Sequence, residues 1–311
     1  MDTIHIAYCA DENYLEYLSV SLMSVLLNNK KNKIHFHLFL YNVSNDGCEK
    51  LKSIDADISI YSIDNSLMNK YDQKFTIKHL NMSTYMRLIV PRMLFGKVDK
   101  FIYLDIDTLC FSDLSDINNI DISKVVCAAS SDSNNNEKNS NIIRLKLKNN
   151  FYFNAGFLYI NINNWMKYNI EDKVNEIVLN KKFDLVYYDQ DALNLALEDY
   201  VISIDKSWNY LYTWMSLDEK ENYFFDDNKL PKIIHFTGGR KPWYKEHSGL
   251  SQNLFIFYKH FTPWKNTKLR SYKSKMKNSD NRVYAREAFQ KKNIMLSIKY
   301  YFIYLYNKVI K

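Results

Sequence analysis

Residues 3–28, TIHIAYCADENYLEYLSVSLMSVLLN, decide the fold class. Thr3–Cys9 is apolar and rich in β-branched residues, the signature of a buried strand, and it ends at the polar cluster Ala10-Asp11-Glu12-Asn13. From Tyr14 to Leu27 apolar side chains return at helical spacing (Leu15, Leu18, Leu22, Val25, Leu26), and Asn28-Asn29 closes an amphipathic helix. Ile34–Tyr41, IHFHLFLY, alternates as a second strand, and Ile58–Ile63, ISIYSI, supplies a third. A β-α-β-α-β order over about the first 65 residues calls for a parallel sheet with right-handed crossovers, the architecture of nucleotide-binding α/β halves.

Working outward, Lys100–Leu104 is a short apolar strand that runs straight into Asp105-Ile106-Asp107. Val125–Ala129 and Phe157–Ile162 read as further strands, Trp165–Asn180 and Asp191–Leu197 as helices, and Lys232–Phe236 as a late strand entering a Gly-Gly turn. The polar stretch 130–140, SSDSNNNEKNS, is expected as a loop or lid. No internal repeat is visible, and composition changes only near residue 262, so one α/β catalytic domain over residues 1–264 with a tail over 265–311 is the simplest division.

Composition narrows the class. The 311 residues are 47% hydrophobic and 25% charged, which suits a folded globular chain and excludes wholesale disorder. Only 6 Gly and 4 Pro exclude collagen-like and linker-rich architectures. The 4 Cys are scattered without a C-x-x-C pair, which argues against a disulfide framework or zinc module and fits a reducing compartment. The N-terminus lacks the pattern of a secretory signal, and no apolar run reaches the length of a spanning helix, so a cytoplasmic protein is expected.

The net charge of +7 is uneven: residues 265–311 carry 13 Lys/Arg against 2 Asp/Glu, a net of +11, and leave the body at −4. The tail divides into cationic KNTKLRSYKSKMKNSDNR and aromatic IMLSIKYYFIYLYNKVIK. Charge beside an aromatic amphipathic stretch suits an anionic membrane surface, with rings at the interface and cations among headgroups. Packing on the body or on a second subunit is the plainer alternative; nucleic acid is the third and is not expected as a partner.

Three D-x-D pairs occur, Asp55/Asp57, Asp105/Asp107 and Asp189/Asp191, and position separates them. Ligands of parallel α/β sheets bind beyond the carboxyl ends of strands. Asp105 and Asp107 stand there, whereas Asp55 and Asp57 precede a strand and read as a solvated turn. Two carboxylates at i and i+2 can share one hard divalent cation, or merely cap a turn. In HFTGGRKPW, His235 ends a strand as a candidate third ligand, and an Asp/Asp/His set favours manganese over calcium; a structural histidine is the commoner reading of such a residue alone. Gly238 and Gly239 let backbone approach a phosphate, with Lys241 as a point charge. In FNAGFLYIN, Asn154 and Gly156 suggest a close backbone approach; in YYDQDALN, Asp189 and Gln190 stand at the mouth of a helix that Asp191 caps.

The ordered set YCADENYLEYLSVSLMSVLLNN, HLNMSTYMRLIVPR, FIYLDIDTLC, FNAGFLYININNW, YYDQDALN and IIHFTGGRKPW resembles glycosyltransferase family 8, in its bacterial lipooligosaccharide α-galactosyltransferase type, over residues 3–262. The resemblance implies a GT-A fold (Rossmann-like, a mostly parallel sheet flanked by helices), here with a basic, aromatic, helical C-terminal tail. It also implies a UDP-hexose donor, a glycan or glycolipid acceptor, Mn²⁺ with Mg²⁺ as second choice, and retention of anomeric configuration. Asp105, Asp107 and His235 match its metal ligands. Asp11 and Asn13, with backbone near Cys9, match the turn that holds uracil and ribose, and Gly238 and Lys241 match the phosphate-gripping turn. Arg87, Asn154, Asp189 and Gln190 match positions around the donor sugar, with Ile106 and Ala155 beside them. His79 falls in a segment folded over the donor. Asp132 matches a sugar-binding Asp in a loop that differs here, and Gly239-Arg240 is more basic than the resemblance leads one to expect.

The reaction so implied neutralises a departing UDP while the anomeric carbon becomes cationic. Retention admits a covalent intermediate on a carboxylate or attack from the face the UDP leaves. Gln190, an amide, is a poor nucleophile, and the resemblance makes Asp189 a sugar-hydroxyl ligand, so same-face attack is preferred. Galactose is the first choice of hexose and glucose the second; lipooligosaccharide is the first choice of acceptor, a glycoprotein or capsule precursor the second. A metal-independent glycoside hydrolase and a non-catalytic binding relative are the rivals. The expected location is the inner face of a bacterial plasma membrane.

Overall fold

The computed structural model describes residues 2–64, 82–132, 140–180, 182–225, 230–247 and 249–310. Seven strands form the main sheet: β1 Ile4–Asp11, β2 Ile34–Tyr41, β3 Asp57–Ile63, β4 Lys100–Leu104, β6 Cys127–Ser131, β7 Phe153–Asn161 and β8 Val201–Ile204, in the order β3-β2-β1-β4-β7-β6-β8. β1, β2, β3 and β4 are mutually parallel where they pair, as are β6 and β8, while β7 runs antiparallel to both neighbours. A second sheet, β5-β10-β9, is built from β5 Thr108–Cys110, β9 Tyr210–Leu211 and β10 Ile233–His235.

The two-residue period of β1 explains the layering. Ile4, Ile6, Tyr8 and Ala10 join a core under the helix Leu15–Asn28, whereas Ala7 and Cys9 join the opposite core with Trp165 and the helix Met82–Leu94. Both faces are therefore covered, as a parallel sheet requires.

Three boundaries depart from the expectations. β7 begins at Phe153, not Phe157, so Asn154, Ala155 and Gly156 lie within the strand, opposite an irregularity in its pairing with β6 between Ala129 and Ser131, with Gly156 O accepting from Asp105 N. The helix expected over Trp165–Asn180 is two, Ile162–Lys167 and Ile170–Leu179. Asn161 caps the first, accepting from Asn164 N at 3.0 Å, and Asn169 breaks the path at φ 51°, a left-handed conformation that asparagine tolerates. β6 extends through Ser131 into the stretch expected as loop, and residues 133–139 lie outside the described ones.

The tail divides where its composition does. The helix Asn278–Gln290 packs on the body: Asn281, Tyr284, Ala285 and Ala288 are buried, and the Tyr272 hydroxyl donates to that of Tyr284 at 2.8 Å. Tyr272 in turn stacks on Tyr244, with ring centroids 4.6 Å apart. The final helix, Ile294–Ile310, lies along Asn278–Gln290, where the Ser297 hydroxyl donates to Ala285 O at 2.8 Å, and turns Met295, Ile298, Phe302 and Val309 outward. Among the described residues no helix is long and apolar enough to cross a membrane.

Two buried histidines set an acid limit on this fold. His37 stands between His5 (3.0 Å) and the Tyr61 hydroxyl (3.1 Å); burial first, then His35, His5 and Lys97, depress its pKa to about 3 against the pull of Asp57. His247 is lowered to about 3 by burial, then by Arg240, Lys291 and Lys220. Each takes a proton less readily than in the unfolded chain, where histidine titrates near ~6.5, so their contribution is full above that pH and is lost as pH falls toward 3. At pH 5 each costs about 2 kcal/mol. Urea midpoints should therefore drop between pH 7 and pH 5, and the drop should shrink in His37→Asn; an equal drop in the variant would clear His37 as a cause.

Candidate active site

β4 ends at Leu104, and the chain turns through Asp105-Ile106-Asp107 into β5, the Thr108 hydroxyl donating to Asp105 O at 2.8 Å. β5 pairs antiparallel with β10, setting Thr108 opposite His235, and Phe236 N donates to Asp107 O at 2.9 Å. Residues far apart in sequence thus meet: one ligand atom from each of Asp105, Asp107 and His235 lies within 4.8 Å of the others. His235 Nε2 is 3.1 Å from Asp107 Oδ1 and 3.9 Å from Asp105 Oδ2. Two carboxylates and an imidazole converging on one point could hold a divalent cation. Lys241 Nζ also touches Asp107 Oδ2 and donates to Phe236 O at 2.6 Å. Burial pushes the Asp107 carboxyl up, but Lys241 and His235 outweigh that and hold it well below the usual range, ionised at neutral pH.

A row of amides orients the imidazole. Asn209 Oδ1, an acceptor, is 3.1 Å from His235 Nδ1, which donates to it, and this turns Nε2 toward the carboxylates. The Asn209 amide donates to Asn154 Oδ1 at 3.0 Å, Asn154 donates to Gln190 Oε1 at 3.0 Å, and Gln190 donates to Asp132 Oδ2 at 2.8 Å and to the Tyr152 hydroxyl at 3.0 Å. Ala155 N also donates to Gln190 Oε1, at 3.2 Å. Tyr152 donates to Asp191 Oδ1 at 2.7 Å, and Arg144 donates to both oxygens of that carboxylate. Asp191, expected as a helix cap, sits instead inside the helix Tyr188–Ala196, fully buried, where it also accepts from Val186 N and Tyr187 N.

Buried Arg87 joins the two aspartate pairs. It donates to Asp105 Oδ1 (2.9 Å) and Ala155 O (2.8 Å), lies 3.7 Å from Asp189 Oδ2, and stacks over Tyr103, whose hydroxyl also donates to Asp105 Oδ1 at 2.8 Å. Burial lifts the Asp189 carboxyl above its ordinary range, partly countered by Arg87. Asp132 is likewise raised by burial. Asp105 N donates to Gly156 O at 2.9 Å, so β7 passes so close to the cluster that a Cβ at Gly156 would lie 2.6 Å from His235 Nδ1 and 2.9 Å from Asp105 Oδ2.

A cleft of about 220 Å³ opens above this floor, lined among others by Cys9, Arg87, Asp105, Ile106, Lys241 and Trp243. Asn154, Ala155, Asp189 and Gln190 adjoin it through Arg87 and Asp105. Asp11 and Asn13 are at the end of β1, where Asp11 accepts from Asn13 N at 2.8 Å, but neither lines the cleft. Gly238, at φ 77°, forms the turn after β10 and has open space around it. His79 lies outside the described residues. Sequence reasoning missed Tyr103, Tyr152 and Asn209; the available signal for Asn209 was a polar residue within the aromatic run WNYLYTW.

Gly156→Ala should abolish any divalent-cation binding at this cluster, read by electron paramagnetic resonance with Mn²⁺ as the probe, because a Cβ there would press on both His235 and Asp105. Asn209→Ala should weaken it by about 10–100-fold, the usual cost of losing the partner that orients a metal-bound histidine; unchanged affinity would mean that the amide does not set the imidazole.

The model of glycosyl transferase family 8 matches residues 5–247. A lipopolysaccharide 1,2-glucosyltransferase of Escherichia coli is 27% identical over 315 residues, spanning 96% of this chain and 91% of its own. A lipopolysaccharide 1,3-galactosyltransferase of Salmonella typhimurium is 25% identical over 319 residues, spanning 100% and 93%. Among solved structures, the galactosyltransferase LgtC with donor and acceptor sugar analogues matches with a TM-score of 0.70 at 24% identity, covering 84% of this chain and 96% of that one. The likeness is one of fold, and the fold is GT-A.

Proposed function

This chain belongs to glycosyl transferase family 8 and is a glycosyltransferase, and from that premise we propose that it moves a hexose from a UDP-sugar to a lipopolysaccharide-type acceptor, with retention and with Mn²⁺. The observation that carries this reading is the Asp105/Asp107/His235 cluster, whose two aspartates line a cleft together with Arg87 and Lys241. A divalent cation held there supplies positive charge to a departing diphosphate. Lys241 contributes its ammonium to the same phosphates, and the turn at Gly238 offers backbone to them. Cys9, Asp11 and Asn13 receive the uridine at the end of β1, with Ile106 between the two aspartates. Asp189 orients a hydroxyl of the donor sugar, beside Asn154, Ala155 and Gln190. His79 belongs to this reading as an acceptor-side residue.

The bonding of Gln190 bears on the stereochemistry. Its carbonyl accepts from Asn154 and Ala155 and its amide donates to Asp132 and Tyr152, so the side chain is occupied in holding neighbours. That supports attack by the acceptor hydroxyl from the face the UDP leaves, with a phosphate oxygen taking the proton. Galactose is the first choice of sugar; the relatives named for glucose and for galactose keep glucose as the second.

Mn²⁺-dependent UDP release from a single UDP-hexose, abolished by EDTA, is the expected result with a panel of donors. Glycosyl cleavage that survives full chelation would favour a hydrolase instead. Gln190→Ala should keep measurable transfer, whereas complete loss with intact UDP binding counts against same-face attack.

We also assign attachment to an anionic membrane surface to the helix Ile294–Ile310. Its outward face carries Met295, Ile298, Phe302 and Val309, all more than 60% exposed, with Lys299 and Lys308 on the same helix. Ending the chain after Asn293 should release it from vesicles rich in anionic lipid while leaving UDP-sugar hydrolysis in place; a truncated chain that still pellets with the vesicles refutes the assignment. On this reading the enzyme works at the inner face of a plasma membrane.

A further inference from the structure

Arg240 and Lys241 are consecutive residues of the turn after β10 and face opposite ways. Lys241 points into the cleft at Asp107, whereas Arg240 Nη1 donates to Glu287 Oε1 at 2.8 Å. Glu287 lies on the helix Asn278–Gln290, beyond the 5–247 span matched by the family model. The pair is largely shielded, with side chains 18% and 23% exposed. A second cation converges on the same oxygen: buried Lys220 Nζ is 3.7 Å away and lies over the ring of Tyr212, which packs against Phe236 beside His235. Next to them Lys291 pairs with Glu221 at 2.8 Å, close against Gly249.

We infer that Glu287 is a positioning residue for donor binding, acting through Arg240 on the turn that carries Gly238 and Lys241. This rests on the reading of that turn as the diphosphate grip. The physical case is one of freedom and charge. Gly238, at φ 77°, and Gly239 have no side chain to pack, and no atom lies within 4 Å of where a Cβ would stand on either, so the turn is held only at its ends, by Thr237 on Thr213 (2.7 Å) before the glycines and by Lys241 on Phe236 O after them. The Arg240–Glu287 pair adds the anchor next to the glycines, and Glu287 is fixed to the body by the buried Tyr284, Ala285 and Ala288 one to three residues away in the same helix. Without Glu287, Arg240 and Lys220 are left as two shielded cations near each other with no carboxylate between them, and their repulsion moves the turn. Arg240, the basic residue that stood out from the family pattern in the sequence, thus serves the donor indirectly.

The test is UDP binding in the presence of Mn²⁺, by calorimetry on the full chain, with donor KM and kcat measured separately. Glu287→Gln and Arg240→Gln should each weaken UDP binding and raise donor KM about fivefold, while kcat stays within about twofold. The exchanged pair Arg240→Glu with Glu287→Arg should recover most of the affinity, which a general loss of packing would not. Wild-type affinity in a folded Glu287→Gln overturns the inference, and so does tighter binding, which would mean that Glu287 withholds Arg240 from the phosphates. If Glu287→Gln melts early, the exchanged pair decides, and a folded exchange that binds no better than Arg240→Gln overturns it as well. A wild-type chain that binds no UDP with any metal fails the parent reading rather than this one.

Discussion

The antiparallel pairing of β5 with β10 is the constraint on which the site depends. Asp105 and Asp107 leave a strand of the main sheet, and His235 arrives 130 residues later in the chain; nothing local relates them. Three residues on each side, with Thr108 opposite His235 and the Phe236 N to Asp107 O bond continuing the ladder, fix the imidazole against the carboxylates. β9 supports the pair from the far side and brings Asn209, which immediately precedes it, to the imidazole Nδ1. The same few backbone bonds therefore set the distance and the direction of the imidazole relative to the two carboxylates.

Around this point the charges are arranged to be nearly self-sufficient. Asp105, Asp107 and Asp189 lie close enough to repel, and Arg87 and Lys241 are the cations set among them. Arg87 is buried with its charge shared between Asp105 and Asp189, so removing it would leave two carboxylates facing each other in a shielded place. Lys241 is on the other side, on a glycine-rich turn, bonded to Asp107 and a carbonyl. One cation is thus built into the helix side of the cleft and the other hangs from the glycine-rich turn.

Much of this was legible in the sequence, and the failures have physical causes. The first three strands and the first helix were readable because burial on both faces or on one stripe writes a period of two or of 3.6 into the chain. Asp105 and Asp107 could be separated from the other aspartate pairs because they follow a strand. His235 needed the ordered motifs of the family, since one histidine at a strand end is ambiguous alone. Asn209 and Tyr152 could not be found, because their role exists only when distant segments are brought side by side. Asp191 looked like a cap by its place before an apolar run, yet its partner, Arg144, lies 47 residues upstream. The break at Asn169 was invisible because asparagine is no obligate helix breaker; only the left-handed backbone reveals it. Glu287, in a tail read for its net charge, was hidden by the surrounding lysines.

The row His235–Asn209–Asn154–Gln190–Asp132 has a direction, because each amide in it has one donating end and one accepting end. Turning any one member around would set donor against donor on one side and acceptor against acceptor on the other, so the members must turn together or not at all. Ala155 N and Gly156 N donate to the Gln190 and Asn154 oxygens, and the Asp132 carboxylate accepts at the far end, so the row has one orientation and holds as a unit rather than as four separate bonds. The Asp132 carboxylate and the His235 imidazole therefore share one orientation, and neither end can be reset without the other registering it.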